Sequence, residues 1–197
     1  MMQYIMPSIK HRGVNEKDDL RVKMAKYQWD KFKEQRDNNQ NMNKEEIVRL
    51  VNTFLEQVGI SINDKFDNIV MVKPQEENTK GRISYWDIKR KSDISCKENI
   101  VWIKFNKSGC ISVIGVGCDI FFTEKAKRET SAGRINAFLK QMDEHEEYEW
   151  DEESVLVFPL IGLNDLKEYD RSDIESGIGN FLIANDVPIL DYYSHNY

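Results

Sequence analysis

The chain has 197 residues, 40% of them hydrophobic and 31% charged, with a formal net charge of −6. Its length fits one domain, or one domain with a small helical extension, and no stretch approaches the roughly eighteen apolar residues that a membrane-spanning helix needs. Eight acidic side chains fall in the run DEHEEYEWDEE at 143–153, and without it 28 basic residues face 26 acidic ones, so no globally basic nucleic-acid footprint is present.

The opening MMQYIMPSIKHRG has no basic leader before an apolar stretch, and Pro7 interrupts it, so no secretory signal is expected. Asn15 then caps a helix over 16–36, with Glu16, Asp18 and Asp19 in the first turn as the helix dipole prefers. Val22, Ala25, Trp29 and Phe32 share one face, with Leu20, Met24 and Tyr27 beside them. So wide an apolar band belongs to a helix that is sandwiched in cis or that contacts a partner in trans. The breaker DNNQNMN separates this arm and helix, 1–42, from a single α+β domain over 43–197. Asn43, with Glu46 three residues on, opens the next helix as a capping box. Ile47, Val48, Val51, Phe54, Leu55 and Val58 form its apolar face, and Gly59 ends it.

Short strands are expected at 60–62 and 68–73, followed by a polar loop over 74–81. The runs 83–91, 100–105 and 110–116 are β-branched and aromatic, and Asn106, Lys107, Ser108 and Gly109 form a turn between the last two. Joined by short linkers, they predict a central antiparallel meander over 83–117. Helix 123–142 and strand 154–159 follow. Ser172 and Glu175 form a second capping box for helix 172–185, and a last strand at 187–192 is assigned to an edge because Pro188 cannot donate to a ladder. The fold class is therefore α+β: a mainly antiparallel sheet covered by helices, with an N-terminal helical extension.

Cys96, Cys110 and Cys118 are odd in number and form no CxxC pair, which suits free thiols in a reducing cytoplasm. Gly115 and Gly117 in VIGVGCDIFF lack the third glycine and the Gly-Lys-Ser/Thr of nucleotide loops, and fit a bent strand. Cys118 as a nucleophile would need a base among His11, His145 and His195, and none is placed by sequence. Asp191, Ser194 and His195 carry the residue types of a hydrolase triad, but lie too close along the chain to form its relay.

Two readings carry chemistry. In the first, the run Asp143, Glu144, Glu146, Glu147, Tyr148, Glu149, Trp150, Asp151, Glu152 and Glu153 steers a protein partner with a basic surface. The chain is then a non-catalytic, cytoplasmic interaction protein, with neither membrane nor cofactor. One concrete form is an inhibitor or regulator of a nucleic-acid-handling complex, because such a run fits a basic groove. The alternative for the run itself is a solvated loop. In the second, a helix is followed by Asp67 at the start of a strand, and a later strand carries Asp87-Ile88-Lys89. Residues two apart on a strand share a face, so Asp87 and Lys89 project together.

Over about 43–91 this order resembles the PD-(D/E)xK, or restriction-endonuclease-like, superfamily, although Phe66 stands where that family commonly has proline. The resemblance implies a metal-dependent nuclease. Asp67 and Asp87 would be ligands for Mg²⁺ or Mn²⁺, Lys89 would stand beside the attacking water, and nucleic acid would be the substrate. An exposed strand face of alternating charge is the plainer alternative.

Overall fold

The computed structural model describes residues 15–72, 82–83, 100–116, 120–121 and 151–191. Helix α1 spans Asn15–Asp37 and α2 spans Lys44–Gln57. The start of α2 is set by local chemistry. The Asn43 side chain accepts from the Glu46 N–H and the Glu46 carboxylate accepts from the Asn43 N–H, both at 2.8 Å. The expected capping box is therefore formed. At the other end Gly59 takes φ +85°, the Ile60 N–H donates to Leu55 and the Gly59 N–H donates to Glu56. That is a Schellman ending, which needs a residue free to adopt the left-handed region.

Strand β1 (Ile69–Met71) is followed by β2 (Arg82–Ile83), β3 (Ile100–Phe105), β4 (Ile111–Val116) and β5 (Ile120–Phe121). The β3–β4 hairpin forms as its sequence predicts. Asn106 accepts from the Gly109 N–H through its backbone and from the Cys110 N–H through its side chain, and Gly109 takes φ +91°. Later come β6 (Ser154–Pro159), a short 3-10 turn (Leu163–Asp165), α3 (Arg171–Ala184) and β7 (Ile189–Asp191). The expected strand at 60–62 appears as a single bridge between Ser61 and Ile161.

The main sheet has the order β1-β6-β3-β4-β7, antiparallel throughout except that β7 runs parallel to β4. This is an α+β fold with a mostly antiparallel sheet, and the last strand is at an edge. The third strand of the expected meander is corrected. Both edges of β3 are taken, by β4 and by β6, while Arg82–Ile83 pairs with β5 in a separate two-stranded sheet. β6 is buried along its whole length and apolar after Ser154, and it wins the place beside β3 because a strand buried on both faces belongs in a sheet interior. The cap of α3 is corrected too. Asp170, not Ser172, accepts from the N–H groups of Ser172 and Asp173, and Asp173 returns the bond to the Asp170 N–H. Glu175 is turned into the protein and is 5% exposed. The expected strand beyond Ile83 and the helix at 123–142 lie outside the described residues.

Alternation sorts the sheet into two faces. Val101, Ile103 and Phe105 of β3, Leu156 and Phe158 of β6, and Ile189 of β7 join α2 and α3 in the main core. Leu190 faces the other way. With Cys110 it packs against Ala25, Trp29 and Phe32 of α1 in a second, smaller cluster. Helix α1 thus docks in cis, on the face opposite α2 and α3.

Candidate interaction site at the end of the acidic segment

The described part of the acidic segment is its last three residues, Asp151, Glu152 and Glu153; Asp143, Glu144, Glu146, Glu147, Tyr148, Glu149 and Trp150 lie outside the described residues. Those last three enter β6 directly and are tied to three elements. The Asp151 N–H donates to the Phe105 carbonyl at the end of β3, and the Val72 N–H beyond β1 donates to the Glu153 carbonyl. The third tie comes from α2. Lys44 is its first residue, where a cation opposes the helix dipole. Its ammonium turns instead to Asp151, donating to Oδ2 at 2.6 Å and to Ser154 Oγ at 2.7 Å, and stands 5.1 Å from the Phe105 ring centroid.

Asp151 is half-buried, and burial alone would raise its carboxyl. The Lys44 hydrogen bond, the Glu153 and Ser154 N–H groups and the Lys44 charge outweigh that and hold it below the usual carboxylate range. One acid of the run is therefore a fixed structural anion, while Glu152 and Glu153 are exposed beside it. The arrangement fixes Asp151–Glu153, the end of the acidic segment, against α2, β3 and the chain just past β1. Lys44 was not among the residues singled out from sequence. A lysine immediately after a helix cap was the available signal, since it calls for a nearby anion.

Of the alternative site, Asp67 alone falls among the described residues. Asp67 is exposed at the start of edge strand β1, where its Oδ1 accepts the Ile69 N–H at 3.0 Å in a local Asx turn. Asp87 and Lys89 lie outside the described residues. Among the described residues no group of three or more His, Cys, Asp or Glu side chains is placed to hold a metal ion.

Other sequence candidates sort plainly. Gly115 packs under Trp102, and a Cβ there would fall 2.5 Å from the indole. Cys110 is fully buried, and burial pushes its thiol far up. Asp191 is buried in β7, and Gly117, Cys118, Ser194 and the three histidines lie outside the described residues. Sequence reasoning also passed over Lys104. It is 6% exposed on β3, its Nζ lies 5.0 Å from the Trp102 ring, and desolvation lowers its pKa to about 8. A cavity of about 50 Å³ at the end of α1 is far below the few hundred Å³ of a typical small-molecule site.

No protein-family model matches the chain, and no curated protein or solved structure matches it significantly. Among the described residues, no helix is long and apolar enough to cross a membrane.

Proposed function

We propose that the chain is a non-catalytic intracellular interaction protein whose acidic, aromatic segment at 143–153 engages a partner with a basic surface. An inhibitor or regulator of a nucleic-acid-handling complex is the form we favour. The observation that carries this reading is the tethering of Asp151 to Lys44, Phe105 and Ser154. An anchored root lets a run of carboxylates present its charge from a set place on the body, and clustered charge of one sign speeds encounter with the opposite sign and repels nucleic acid.

The test is a competition assay. A basic probe protein, protamine, is loaded with labelled duplex DNA, and the full chain is titrated in at several salt concentrations. The native chain is expected to displace the DNA, with an effect that fades as salt rises. A variant with the seven acids other than Asp151 changed to their amides should lose it. Equal displacement by that variant would remove the segment from the function. The same preparations, incubated with DNA and RNA and with Mg²⁺ or Mn²⁺, test the nuclease alternative. Metal-dependent cleavage that Asp87→Ala abolishes would replace the interaction reading with that one.

A further inference from the structure

The contacts that hold α1 differ in kind from those that hold the rest of the fold. The main core joins α2, α3 and four strands in one continuous cluster, whereas among the described residues α1 packs on the sheet in a separate cluster of Ala25, Trp29 and Phe32 with Cys110 and Leu190. Within that interface Gln28 is 3% exposed, and its Oε1 has no hydrogen-bond partner among the described residues. A buried acceptor left without a donor weakens the interface that contains it. The polar pins are on the surface. Lys31 pairs with Asp186 at 2.8 Å, the Asp186 carboxylate side being 81% exposed, and Gln35 donates to the Asp186 carbonyl at 2.7 Å. Exposed pairs of this kind contribute little.

Two helix ends meet at the same place, each closed by a Schellman ending. Among the described residues Asn39 (φ 55°) and Asp186 (φ 64°) are the non-glycine residues with positive φ. Asn39 lies in the polar link between α1 and α2, and Asp186 is the residue on which α1 is pinned. The cavity of about 50 Å³ lies at the same joint, bounded in part by Phe32, Gln35, Asn41, Cys110 and Pro188, and looser packing there lowers the cost of separation.

We propose that α1 is a detachable latch: it undocks as a unit from the β4–β7 side of the sheet, hinging over 38–43, and uncovers Cys110 and Leu190 while the main core stays folded. The opening is local rather than global, because the two clusters are separate and α2 is independently capped at Asn43. Cys110 is the reporter. Its thiol is fully buried beneath α1 and unreactive when the latch is closed.

The experiment is thiol labelling of the full chain, with the Cys110 peptide followed by mass spectrometry over time and urea concentration. Labelling in the absence of urea should be at least about tenfold faster than global unfolding allows, and its urea dependence should be shallow. Lys31→Met, which breaks the pair and leaves the α3 ending intact, should speed it about two- to threefold without an equal change in the global unfolding midpoint. Gln28→Leu, which removes the unpaired acceptor and keeps an apolar contact, should slow it. The two variants push in opposite directions, so a folding defect in one does not decide the matter. Cys110 labelling that occurs only with global unfolding, with the same urea slope, and that both variants move only in step with the midpoint, would overturn the proposal.

Discussion

Lys104 and Asp151 show burial acting on opposite charges with different results. At Lys104 desolvation is the cause of the shift, and the Trp102 face, which favours the charged form, offsets it only in part. With a folded pKa of about 8, below the unfolded value of about 10.4, the folded chain binds fewer protons than the unfolded chain between those pH values. Stability from this residue therefore rises as pH climbs through that window, and below it the full cost of the buried ammonium is present. In urea denaturation the native chain should gain about 2–3 kcal/mol on Lys104→Met between pH 7 and pH 10.5. A flat difference would show that the ammonium is well solvated. Asp151 has the opposite sign. Its carboxyl is held low, so its contribution is full above the ordinary carboxylate pKa of about 4 and is lost as pH falls below it. Lys44→Met should cost about 1–2 kcal/mol at pH 7, and the difference should shrink towards pH 2.

At the scale of elements, local signals were read correctly where the partner atoms lie within a few residues. The Asn43–Glu46 box and the Asn106–Gly109 turn close on themselves, so their residue types are sufficient. The cap of α3 was misplaced because Asp170 and Ser172 have the same capping chemistry. What decided between them was the inward turn of Glu175, which is a tertiary fact. Gly115 gives a direct test of sheet packing. It faces Trp102 across the β3–β4 ladder, and a methyl group would sit 2.5–3.0 Å from the indole. Gly115→Ala should therefore destabilise by about 1–3 kcal/mol and change the tryptophan fluorescence, since the ring must move. An unchanged urea midpoint would mean that the ring yields freely.

At the scale of the molecule, the fold holds Asp151–Glu153, the end of the acidic segment, at the meeting of α2, β3, β6 and β1. Changing Asp151 itself should therefore act differently from changing its neighbours. Asp151→Asn should lower the thermal midpoint, because it removes the anion that Lys44 is paired with. Glu153→Gln should leave the midpoint within about a degree while weakening binding to a basic probe at low salt. A calorimetric scan and a salt series on each variant check this. A fall in midpoint for the second variant would make that carboxylate structural as well.

The division between sequence and structure follows the range of the forces concerned. The sequence by itself determined the α+β class, α2 with both its ends, the hairpin and the β6 strand, because periodicity, caps and turns are settled by neighbours along the chain. It also exposed the uneven charge. It left open whether α1 docks in cis, and it misassigned the neighbour of β3. Only the tertiary structure decided that β6 sits between β1 and β3, that β7 returns parallel to β4, that α1 covers Cys110 and Leu190, and that Lys44 reaches Asp151. Those are contests between segments distant in sequence, settled by which surfaces bury best against one another and by which charge finds its opposite, and no window of the chain contains both contestants.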